Sequence, residues 1–125
     1  MANTVEIAGH IDLSGRTHDF DYQAIELHCN YDTVDSDLTL MAAKSGYHVS
    51  VLGLEINTSA SFSPVFKSNA TEIIDYAFSQ NGGRVEPLKP LNPALIFSTK
   101  KGESLNFRSN SPVGRFVVFA AYRRG

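Results

Sequence analysis

Tyr47-His48-Val49-Ser50-Val51-Leu52-Gly53-Leu54-Glu55-Ile56-Asn57 sets Val49 and Val51 against His48 and Ser50, breaks step at Gly53, and then offers Leu54 and Ile56. A period of two sends successive side chains to opposite faces, so the segment reads as a half-buried strand. A glycine inside a strand marks a bulge, and one extra residue there returns Leu54 and Ile56 to the core in shifted register. Upstream, past the turn signal Lys44-Ser45-Gly46, Leu38 and Leu40 repeat the alternation. So do Ile25, Leu27 and Cys29, set against Glu26, His28 and Asn30. Thr4 to Ile7 alternates as well, but Ser14 to Tyr22 is rich in Asp, His and Gly, and residues 1–22 read as an irregular N-terminal arm ahead of a domain spanning 23–125.

Downstream, Phe62 to Phe66 is a short candidate strand broken by Pro64, which removes a ladder donor and favours a sheet edge. Thr71 to Ser79 fits a helical stripe through Ile73, Ile74, Ala77 and Phe78, and a strand face through Ile74, Tyr76 and Phe78. Its β-branched and aromatic content favours the strand. Gln80-Asn81-Gly82-Gly83 is a turn, Val85 marks a short strand, and Pro87, Pro90 and Pro93 impose an extended connection expected to cross between sheets. Leu95 to Ser98 and Leu105 to Arg108 read as a hairpin about Lys100-Lys101-Gly102. Arg115 to Tyr122 is apolar on both faces, as in a central, doubly covered strand. Some eight short strands at this spacing predict an all-β fold, an antiparallel β-sandwich.

Composition narrows the function. The chain has 125 residues, 42% hydrophobic and 19% charged, as expected of one globular domain. A net charge of −2 supplies no broad basic field for nucleic acid, and the basic end Arg123-Arg124 is too short to change that. No run approaches a membrane span, and Met1 to Ile7 has no secretory-signal character, so a soluble chain made in a reducing cytoplasm is expected. The single cysteine, Cys29, cannot form an intrachain disulfide.

Candidate chemical groups are few. Asp32, Asp35 and Asp37 place three carboxylates in one loop, but the glycine and terminal glutamate of a calcium loop are missing, so a solvated acidic turn is expected. His10, His18, His28 and His48 lack zinc-ligand spacing, although His28 and His48 would pair if their strands were neighbours. Cys29 next to His28 resembles a nucleophile and base, yet adjacent strand residues point apart, which leaves Cys29 a small core residue. Gln80 to Gly83 lacks the following Lys-Ser or Lys-Thr of a phosphate loop. Asn57-Thr58-Ser59 and Asn69-Ala70-Thr71 match the glycosylation pattern, which chance explains in a Ser- and Asn-rich chain. Tyr22, Tyr31, Tyr47 and Tyr76 are candidate exposed rings for a sugar platform. No catalytic, cofactor or metal site is assigned, and the chain reads as a binding or assembly module and not as an enzyme.

Three segments between Val49 and Tyr122 carry a resemblance: Val51-Leu52-Gly53-Leu54-Glu55-Ile56, Val65-Phe66-Lys67-Ser68-Asn69-Ala70-Thr71, and, after the proline-linked stretch, Lys101-Gly102-Glu103-Ser104-Leu105-Asn106-Phe107. Their order resembles small jelly-roll structural proteins of tailed bacteriophages, the head decoration or cement proteins. The resemblance implies a jelly-roll-like sandwich that binds the major capsid protein on the outer surface of a virion after synthesis in the host cytoplasm. It also implies a homo-oligomer, a trimer, that bridges capsid subunits without cofactor, nucleic acid or membrane; the contact residues stay unassigned. A carbohydrate- or receptor-binding sandwich, as in a tail fibre, is the alternative.

Overall fold

The chain doubles back on itself at Ser68-Asn69-Ala70-Thr71, where Asn69 takes a φ of 50°, a left-handed conformation that asparagine tolerates better than most residues. The computed structural model describes residues 3–13, 23–57, 64–75, 83–89 and 95–124. Among them run ten strands: β1 (Thr4–Asp12), β2 (Gln23–Tyr31), β3 (Leu38–Met41), β4 (Tyr47–Asn57), β5 (Val65–Ser68), β6 (Thr71–Asp75), β7 (Gly83–Glu86), β8 (Phe97–Ser98), β9 (Leu105–Arg108) and β10 (Gly114–Arg124). From the turn outward, β5 pairs with β6, β4 with β7, β3 with β9 and β2 with β10, all antiparallel. The halves therefore form one long ribbon. Rolled up, it gives a sheet ordered β1-β2-β10-β4-β7, with β8 also on β4, and a second sheet ordered β3-β9-β5-β6. This is a β-sandwich with the strand order of a jelly roll.

The bulge read from the sequence is present. Phe119 faces Gly53 and Ala120 faces Val51, so Leu52 is the extra residue. Val49, Val51, Leu54 and Ile56 are all buried in the main core, whereas Leu52 turns to the opposite face and joins Leu13, Ala24 and Ala121 in a small second cluster. Gly53 is needed because the outer surface closes over it: an added Cβ would lie 2.8 Å from Phe119 Cδ2 and 3.0 Å from the Leu88 nitrogen.

The main core is aromatic at its centre. Phe107 of β9 packs at ring-centroid distances of 4.5 Å from Phe116, 5.1 Å from Tyr31 and 5.2 Å from Phe66, and Phe66 lies 5.1 Å from Phe97. Rings from both sheets thus interdigitate across the sandwich.

Five expectations are corrected, and the described strands number ten against the eight expected. Thr4–Asp12 of the supposed arm is a nine-residue edge strand paired along β2 with a register shift between Ile7 and Gly9; the alternation legible in Thr4 to Ile7 continues past that shift. The expected Leu95–Arg108 hairpin does not form. β8 stays beside β4, as β7 does, and the sheet crossing is made by residues 99–104 instead of the proline stretch. β5 is an interior strand despite Pro64, because the proline precedes its first residue and costs no ladder bond. β10 is central, but beside its fully buried Phe116, Val118 and Ala120 the opposite face is covered only in part, with Val117 and Phe119 half-buried. The strand reading of Thr71 to Ser79 holds for β6, while residues 76–82 and 14–22 lie outside the described segments.

Gly53→Val is expected to destabilise the fold by about 1–3 kcal/mol through overpacking against Phe119 and Leu88. A lowered denaturation midpoint with an unchanged denaturant slope is the readout.

Candidate functional site

Two apolar surfaces at the margins of the larger sheet make the candidate site, one on its inner face at Ile7 and one on its outer face at Val85, which pairs with the exposed Glu55. Ile7 shares the inward face of β1 with Val5 and pairs with Leu27, but the smaller sheet ends at β3 and does not reach far enough to cover it. Ile7 is 59% exposed. Beside it opens an apolar cleft of about 370 Å³ lined by Val5, Ile25, Leu40, Met41 and Tyr122 among others. At the opposite edge of the same sheet, Val85 on β7 is 61% exposed and Leu95, just before β8, is 47% exposed. A second apolar groove of about 340 Å³ runs beside Val85, floored by Phe119 and Leu88. Those three are the exposed large hydrophobic residues among the described segments. Nothing in the sequence separates them from core residues, since an alternating Ile or Val signals a strand face and not whether another strand covers it.

The residues singled out for chemistry are brought together less than their sequence positions suggest. Asp32 accepts from Asn30 Nδ2 at 2.8 Å, Asp35 takes a φ of 57° and its backbone N–H donates to the Ser109 carbonyl, and Asp37 pairs with Lys67 at 3.2 Å and Arg108 at 3.5 Å. The Asp32 and Asp37 carboxylates thus point to separate partners, and no cluster able to hold a metal ion occurs among the described residues. β10 lies between β2 and β4, so the cross-strand pair of His28 and His48 does not form. His28 instead has Nε2 2.6 Å from Glu26 and Nδ1 2.9 Å from Arg115, an arrangement for a neutral ring with its proton on Nε2. His48 Nδ1 donates to the Thr99 carbonyl at 2.7 Å, and His10 is exposed on β1. His18 lies outside the described segments.

Cys29 points inward, away from His28, and burial pushes its thiol up to about 12. It is a core residue.

The sugar-platform tyrosines also fall apart. Tyr31 is fully buried: its hydroxyl donates to the Ser36 carbonyl at 2.7 Å and accepts from the Ser109 and Ser36 N–H groups at 3.1 and 3.3 Å. Tyr47 is half-buried with Lys44 Nζ 4.3 Å and Arg124 Cζ 5.5 Å from its ring centroid, so its own cations occupy the face a sugar would use. Tyr22 and Tyr76 lie outside the described segments.

Two of the three segments that carry the phage resemblance, those at 65–71 and 101–107, clasp one another. Asn69 Oδ1 accepts from the Ser104 N–H at 2.9 Å and from the Ser104 hydroxyl at 3.0 Å, the Asn69 N–H donates to the Ser104 carbonyl, and Ser68 Oγ accepts from the Lys100 N–H while donating to Glu103. Comparison with family models, curated proteins and solved structures finds none that matches the chain.

Two outcomes are expected. Tyr31→Phe strands buried backbone donors and should cost about 1–3 kcal/mol in denaturant unfolding. Cys29 should resist iodoacetamide until the protein unfolds. Because its folded pKa lies above the value of 9.0 for a free thiol, the burial contribution is fully present below about pH 9 and is lost as pH rises from there towards about 12, so unfolding free energy should fall across that window.

Proposed function

We propose that this is a non-enzymatic virion structural protein, a capsid decoration protein that binds the outer shell and stabilises it by bridging capsid subunits. The observation that carries the reading is the pair of apolar patches at opposite edges of one sheet, Ile7 on β1 and Val85 with Leu95 beside β4. A protein that bridges must hold two neighbours at once, and two separate uncovered apolar surfaces suit that task better than one enclosed pocket would. The rolled ribbon adds support by architecture alone, because jelly rolls serve viral shells but also lectins and cupins.

A trimer is part of the proposal. Two unlike patches favour a heterologous contact, the Ile7 edge of one copy against the Val85 edge of the next, and such contacts close into rings when the rotation allows. Synthesis in the host cytoplasm followed by attachment to the major capsid protein fits the same reading. The carbohydrate- or receptor-binding alternative has less support, since Tyr31 is buried and the ring of Tyr47 is covered by Lys44 and Arg124.

Light scattering should return a mass three times the 13.7 kDa of the chain, and added protein should raise the temperature at which bare phage shells release their contents. Ile7→Asp and Val85→Asp, both at exposed sites, should each give a folded monomer by circular dichroism that no longer protects shells. A monomeric wild type without effect on any shell tested would overturn the proposal.

A further inference from the structure

The sequence shows two arginines at its basic end, but the fold gathers more. β10 delivers Arg123 and Arg124 beside His48 and Tyr47 of β4. The Lys44-to-Gly46 turn closes on Tyr47, whose N–H donates to the Lys44 carbonyl at 3.0 Å. Residues 100–102 reach the same place, where the Gly102 N–H donates to the Tyr47 carbonyl at 2.7 Å. Three segments distant in sequence thus bring Lys44, Lys100, Lys101, Arg123 and Arg124 to one end of the sandwich, and all but the half-buried Arg123 are exposed.

Tyr47 organises this surface. Lys44 Nζ sits 4.3 Å from the Tyr47 ring centroid and 5.0 Å from that of Tyr122, and Arg124 donates to the Tyr47 hydroxyl at 2.8 Å. The Tyr122 hydroxyl in turn donates to the Ala42 carbonyl at 2.8 Å. Cations held against rings are preordered, so less side-chain entropy is lost when an anion arrives. The far end of the sandwich has the opposite character, with Asp32, Asp35 and Asp37 in one loop.

We infer that the Tyr47-centred basic end is a docking surface for a carboxylate-rich acidic face of a partner protein. Two features favour a protein partner over a nucleic acid. Removing these five charges from the net −2 leaves the rest of the chain at −7, which repels a long polyanion but tolerates a compact acidic patch. The aromatic faces that would stack bases already carry Lys44 and Arg124, so a stacking platform for single strands is missing at this end among the described residues. The inference goes beyond the shell-binding proposal, because it concerns the chemistry of one surface whichever assembly presents the partner.

The test is fluorescence anisotropy of the whole chain with a short dye-labelled polyglutamate of about six residues, which presents a compact acidic patch, at about 50 mM salt, alongside a single-stranded DNA of equal length. Polyglutamate should bind more tightly than DNA and weaken steeply as salt is raised to about 300 mM. The combined variant Lys44→Glu, Lys101→Glu, Arg124→Glu should lose at least about tenfold in affinity. Lys101→Glu alone should lose more than Lys89→Glu, which makes the same charge change on the connection after β7. No polyglutamate binding, equal losses for Lys101→Glu and Lys89→Glu, or tighter binding of DNA would overturn the inference.

Discussion

The two sheets are held in register at Phe107. Its ring touches Phe66 within its own sheet and Tyr31 and Phe116 across the interface, so β9, β5, β2 and β10 all bury their central aromatic side chains against one another. Each such pair adds roughly 0.5–1.5 kcal/mol beyond the apolar area it removes from water. A ribbon with one apolar face can roll only if the rings of its two halves meet inside the roll. Tyr31 then extends the same point outward, since its hydroxyl gathers the backbone of Ser36 and Ser109 and closes the acidic end over the core.

Two local irregularities make the roll possible. The extra residue at Leu52 lets β4 keep four apolar side chains in the main core while sending one to the outer face. Without it, half of that strand would present its apolar set to the wrong side, because a one-residue slip inverts every side chain. The left-handed Asn69 folds the ribbon at its midpoint, and the Asn69 side chain then binds Ser104 as the other half of the chain returns. Turn and clasp act on the same residues, so the fold-back point is secured by both local geometry and tertiary hydrogen bonds.

The surface follows from unequal sheets. The larger sheet gains β1 at one edge and β7 with β8 at the other, and the smaller sheet covers only its middle. Ile7 therefore meets water on the inner face at one margin, whereas Val85, paired with the exposed Glu55, meets it on the outer face at the other; edge strands in this condition are ready sites for association unless shielded. The register shift near Ala8 interrupts the free edge of β1 and disfavours indefinite strand addition. Contacts at these margins are left to side chains more than to backbone ladders.

The all-β character, the bulge at Gly53, the strand at Thr71 and the inward Cys29 were legible because period-two alternation and glycine placement are local properties of the chain. The exposure of Ile7 and Val85, the separation of His28 from His48 by β10, the split of Leu95–Arg108 between sheets and the gathering of Lys44, Lys100 and Lys101 beside Arg124 were not. Each depends on which strands become neighbours and where each sheet ends. Alternation states that a strand has an inner face, but long-range pairing decides whether anything lies against it.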